Sequence, residues 1–165
     1  NQLSRLDDAE IQDLLRTLFQ GHQKGDIYDL PTEAQWEFVM RDRGNANKKY
    51  FDRDNALYLP KYAWHKVNSG GQTHAVATLL PRIIDENPFY DLEGNVCEWT
   101  KDSEDKSWDK LPGGKDPLVS KGSMRVNRGG SWDTDEKSLR SSYRVTHFPT
   151  VRNKFYGFRL VRARP

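Results

Sequence analysis

Hydrophobic positions recur at helical spacing only in the first quarter of the chain. Ile11, Leu14, Leu15 and Leu18 fall at i, i+3, i+4 and i+7, which predicts a helix from Asp7 to about Phe19, with Gly21 as its stop. A second helix is predicted after Pro31. Thr32 can bond forward and Gln35 back to free amides as a capping box, Trp36, Val39 and Met40 line one face, and Gly44 ends it. From Asn45 onward the periodicity is lost. Short apolar runs are separated by the turn-forming clusters Asn68-Ser69-Gly70-Gly71, Glu93-Gly94-Asn95, Pro112-Gly113-Gly114 and Gly129-Gly130. Met124 to Asn127 and Gly157 to Val161 are the predicted strands. The pattern implies an α+β domain: two N-terminal helices, then a loop-rich region with short antiparallel strands. So much irregular chain implies loops that carry function or bind ions.

Length and composition narrow this further. The 165 residues suit a single domain spanning 1–165. Basic and acidic residues number 26 and 24, with no long run of one sign, so nothing calls for nucleic acid or an anionic membrane. Hydrophobic residues make up only 35%, yet there are five Trp, seven Tyr and seven Phe, so large rings must supply much of the buried area. Apolar stretches such as Ala75 to Leu80 fall far short of the roughly 20 residues of a membrane span. The single cysteine, Cys97, excludes an internal disulfide, a two-thiol redox pair and a multi-cysteine zinc site. His22, His65, His74 and His147 show no metal-ligand spacing and read as surface or hydrogen-bonded residues.

Six strings occur in order: LPTEAQWEF (Leu30 to Phe38), NSGGQTHAV (Asn68 to Val76), FYDLEGNVCEW (Phe89 to Trp99), RVNRGGSW (Arg125 to Trp132), RSSYR (Arg140 to Arg144) and GFRLV (Gly157 to Val161). Together they resemble the formylglycine-generating enzyme family, or sulfatase-modifying-factor domain, from about Ser4 to the C-terminus. The resemblance implies an elaborated C-type lectin fold but not one activity. The family holds an oxidase, partner domains of iron-dependent sulfoxide synthases, and non-enzymatic ligand-binding modules. The oxidase binds copper(I) through two cysteines five residues apart, after the Gly-Gly-Ser-aromatic turn. Those positions here are Thr134 and Leu139, which cannot replace soft thiolates, so no copper is expected. The sulfoxide synthases draw their iron-binding histidines largely from a separate helical domain, for which 165 residues leave no room.

The resemblance also implies one calcium ion, at Asp91, Gly94, Val96 and Glu98, which supply the carboxylate and carbonyl oxygens that a hard cation prefers. The alternative is a metal-free turn in which Asp91 and Glu98 accept backbone hydrogen bonds. The family's other calcium site is not reproduced in Tyr62 to Gln72. By the same resemblance, ligand contacts fall to Ser131, Trp132, Asp133, Asp135, Ser142, Tyr143 and His147, with Trp64 beside them. Trp132 also reads as a core plug, Arg140 and Arg144 as partners of carboxylates, and Asp133, Asp135, Glu136 and Lys137 as a solvated turn. The expectation is a bacterial, non-catalytic binding module for a protein, peptide or glycan, extracytoplasmic by resemblance only. The alternatives are a divergent oxidoreductase of the formylglycine-generating or sulfoxide-synthase type and a structural subunit of an envelope complex. Family members usually carry a further N-terminal stretch, so two expectations stand side by side: the chain is a fragment of a longer protein, or a companion chain supplies that segment.

Overall fold

The computed structural model describes residues 8–163 except 20, 22, 24 and 105–113, and leaves out the side chain of Asp8. Asp7, His22, Pro112 and Gly113 therefore lie outside the described residues. Two compact units are present, one of Asn1–Leu30 with Leu160–Pro165, the other of Pro31–Arg159.

In the first unit, α1 (Asp8–Leu18) is the predicted helix. Ile11 and Leu15 of its stripe are half-buried, and Leu14 and Leu18 are exposed. Strand β1 (Ile27–Asp29) pairs antiparallel with β8 (Val161–Ala163). The Gln12 side-chain amide donates to the Tyr28 carbonyl at 2.7 Å and accepts its N–H at 2.9 Å. It thereby satisfies both backbone groups of Tyr28.

In the second unit, α2 (Glu33–Met40) starts where the capping box placed it. Thr32 Oγ1 accepts the Gln35 N–H at 3.1 Å and Gln35 Oε1 accepts the Thr32 N–H at 3.0 Å. Its inner face buries Trp36 and Met40 against Phe51, Ile84 and Leu92. Strands β2 (Arg82–Ile84) and β3 (Asn87–Phe89) form a hairpin. The main sheet contains β4 (Cys97–Ser103), β5 (Arg125–Arg128), β6 (Arg144–His147) and β7 (Tyr156–Gly157), in the order β6-β5-β4-β7.

Two strand predictions are corrected. Met124 lies outside β5, which runs one residue further, to Arg128. The run Gly157 to Val161 is not one strand: β7 ends at Gly157, β8 begins at Val161, and the side chain of Arg159 between them turns to Glu98. Nor is all pairing antiparallel, since β7 runs parallel to β4 with Cys97 opposite Tyr156.

Side chains alternate between the two faces of this sheet. Asp102, Arg128 and Arg144 line a cavity beside α2, whereas Cys97, Val145, His147 and Tyr156 line a different one. The two faces of β4 and β6 thus serve two separate cavities.

Candidate functional site

The second cavity is built on interlocked glycine turns. Gly94 N–H donates to the Gly129 carbonyl at 2.9 Å, Trp132 N–H to the Asn95 carbonyl at 2.9 Å, and Asn95 N–H to the Trp64 carbonyl at 2.7 Å. Gly94 has φ +77°, and a Cβ there would lie 2.2 Å from the Trp64 carbonyl oxygen, so only glycine admits the close approach. A Cβ on Gly130 would meet Leu139 Cδ2 at 2.7 Å and Thr134 Oγ1 at 2.9 Å. The side chains of Thr134 and Leu139 therefore converge over one glycine. Both are committed to structure. Thr134 Oγ1 accepts the Ser131 N–H and donates to the Ser131 carbonyl, each at 2.9 Å, which closes the turn. Leu139 is fully buried with Tyr50, Leu59 and Ala63.

The cavity, of about 270 Å³, is lined by Ser131, Asp133, Thr134, Tyr143 and His147 from this segment and by Cys97, Phe155 and Tyr156 from β4 and the β7 region. Cys97, His147 and Tyr156 in this lining are shifted mainly by desolvation. Burial pushes the Cys97 thiol up to about 12, only partly offset by the Gly130 backbone hydrogen bond, so at neutral pH it is a thiol and not a thiolate nucleophile. His147 Nε2 and Tyr156 Oη share a 2.7 Å hydrogen bond. Burial holds His147 below its ordinary range and Tyr156 above it. Both are therefore neutral near pH 7, and His147 Nδ1 is buried without a hydrogen-bond partner among the described residues. The lining offers hydroxyls, a carboxylate, a neutral imidazole and aromatic rings: short-range polar contacts on an aromatic frame.

Of the predicted contacts, Ser131, Asp133, Tyr143 and His147 come together here. The others do not. Trp132 is buried, stacks on Phe155 at 5.1 Å and donates its Nε1–H to the Lys154 carbonyl, so it is the core plug. Asp135 is exposed at the start of the short helical turn Glu136–Leu139, outside the lining. Ser142 lines the cavity beside α2. Trp64 stacks on His74 at 3.7 Å and donates to Thr78 Oγ1 at 3.0 Å. Arg144 pairs with Glu33 as expected, while Arg140 donates its Nε–H to the Lys137 carbonyl. Cys97, Phe155 and Tyr156 were not among the sequence candidates. Cys97 and Tyr156 reach the cavity through parallel strand pairing, which leaves no local signal.

At the Asp91 to Glu98 turn, Asp91 Oδ2 accepts the Ala77 N–H at 2.8 Å. Glu98 Oε2 accepts Trp36 Nε1–H at 2.7 Å, and both Glu98 oxygens accept from Arg159, each at 2.6 Å. Arg159 Nη2 also donates to the Tyr90 and Asp91 carbonyls at 3.2 Å. A guanidinium thus already ties Glu98 to the start of the turn. Asp91 and the Gly94 and Val96 carbonyls suit calcium by chemistry, but Glu98 would have to be shared with Arg159. Among the described residues, no group of three or more His, Cys, Asp or Glu stands ready to hold a metal.

A mixed sheet flanked by α2 thus holds a cavity built on interlocked glycine turns. The chain belongs to the sulfatase-modifying factor enzyme 1-like domain family, whose profile matches residues 1–164. It is 31% identical over 142 residues to a hercynine oxygenase of Mycobacterium tuberculosis, covering 79% of this chain and 31% of that protein. It is 29% identical over 140 residues to the serine/threonine-protein kinase pkn1 of Chlamydia pneumoniae, covering 79% of this chain and 20% of the kinase. The chain thus spans less than a third of either protein's length. Among solved structures, variable protein 1 of Treponema denticola is 37% identical with a TM-score of 0.71, covering 84% of this chain and 48% of that one. PvdO of Pseudomonas aeruginosa is 25% identical with a TM-score of 0.69, covering 95% and 60%.

Proposed function

We propose that this domain is a non-catalytic binding module, a C-type-lectin-like elaboration of the family fold, which takes a group of a protein, peptide or glycan into the cavity above Gly130. The observation that carries this reading is the use of Thr134 and Leu139 as a turn clasp and a core residue, at the positions where the oxidase needs copper thiolates. The lone buried Cys97, high in pKa, supplies no substitute. The likeness to a variable protein supports the same reading. The test is a copper(I) titration together with oxygen uptake in the presence of a cysteine-containing peptide and thiol. Neither tight copper binding nor thiol-dependent oxygen uptake is expected; both together would establish the oxidoreductase alternative, toward which the hercynine oxygenase likeness points.

Calcium at the Asp91 to Glu98 turn is the second part of the proposal. The ion would brace the loop and compete with Arg159 for Glu98, and catalysis would not follow from it. A melting temperature raised by millimolar calcium relative to chelator supports it. An unchanged one removes the metal and leaves Arg159 as the brace.

A further inference from the structure

The cavity beside α2, of about 550 Å³, is the larger of the two and has a different chemistry. Ala34, Glu37, Phe38 and Arg41 of α2 and its C-cap face it, opposite the helix face that carries Trp36 and Met40. Ala34, Phe38, Pro117 and Val119 give it apolar walls, and Phe38 is 54% exposed there. Its polar side is an ordered chain of alternating charge. Glu37 pairs with Arg41 at 2.7 Å and with Arg128, and Glu33 pairs with Arg128 at 3.5 Å and with Arg144. Asp102 accepts the Glu33 and Val119 N–H groups.

Arg128 is fully buried, which fixes the middle of this chain, whereas Arg41 stands at its outer end with a side chain 24% exposed. Arg41 spends only Nε on Glu37; its two terminal nitrogens make no hydrogen bond or ion pair among the described residues. Such a guanidinium edge matches a carboxylate in bidentate geometry. The three arginines, two glutamates and Asp102 sum to zero, so selection of an acid falls to this short-range clamp rather than to a positive field.

We propose that this cavity is a second binding site, for an apolar carboxylic acid whose alkyl or aryl body fills the space between Phe38 and Val119 while its carboxylate pairs with Arg41. The volume suits a small ligand of this kind.

The test is calorimetric titration of the whole chain with hydrocinnamate and with its uncharged amide. The acid is expected to bind with a sub-millimolar Kd and the amide about tenfold more weakly. Arg41→Gln is expected to abolish that difference, and Val119→Trp, which fills the space, to abolish binding of both. Should Val119→Trp lower the melting temperature sharply, Ala34→Leu provides the same block at smaller volume. Acetyl-Ala-Phe with a free carboxylate separates a peptide C-terminus from a free acid as the source of the group. Equal binding of acid and amide, an acid preference that survives Arg41→Gln, or no binding by either acid at about 5 millimolar overturns the proposal.

Discussion

Arg159 and Glu98, 61 residues apart, meet as a bidentate ion pair, with Nε on one carboxylate oxygen and Nη2 on the other at 2.6 Å each. Glu98 is 5% exposed, so the guanidinium compensates a carboxylate removed from water. Arg159→Met keeps much of the volume and removes the charge. It is expected to cost about 3 kcal/mol in urea unfolding, by stranding a buried carboxylate. Adding Glu98→Gln should recover part of that loss; a double variant no more stable than Arg159→Met would show that the pair is not the cause.

The contact of Gly94 with Trp64 makes a backbone prediction. Gly94→Ala places a methyl against the Trp64 carbonyl in a left-handed conformation, and a loss of about 3 kcal/mol is expected. Gly70 also has positive φ, but no atom lies within 4 Å of its Cβ position, so Gly70→Ala should cost only about 1 kcal/mol. Equal losses at the two positions in denaturant melts would rule out the steric cause.

Cys97 is 4% exposed with its thiol pushed up to about 12. At mildly alkaline pH the native chain should resist iodoacetamide, whereas the denatured chain takes up one equivalent by intact mass. Rapid alkylation of the native chain would contradict the burial that sets this pKa.

His147 gives stability a pH dependence of known sign. Its folded pKa is depressed by burial, so between that value and the ordinary one near 6.5 the unfolded chain binds more protons. Stability should fall as pH drops from about 6.5 through the depressed value, and His147→Gln should flatten that part of the profile. A slope unchanged in the variant would assign the dependence to other groups.

The sequence by itself determined what is local. The capping box of α2 depends on Thr32 and Gln35, three residues apart, and the helix starts there because that hydrogen bonding needs no distant partner. Glycine clusters marked turns because positive φ is costly to other residues. The ordered motifs placed the chain in its family.

Only the tertiary structure decided which of these residues share a site. Arg144 and Val145 are neighbours in β6, yet they line different cavities because adjacent side chains leave an extended backbone on opposite sides. Cys97 joins His147 and Tyr156 through parallel pairing of β4 with β7, and Trp132 turns inward to stack on Phe155. Glu98, which reads in sequence as a metal ligand, meets a guanidinium delivered from the far end of the same unit. Contacts of this kind are fixed by strand register and burial, which no short window of sequence encodes.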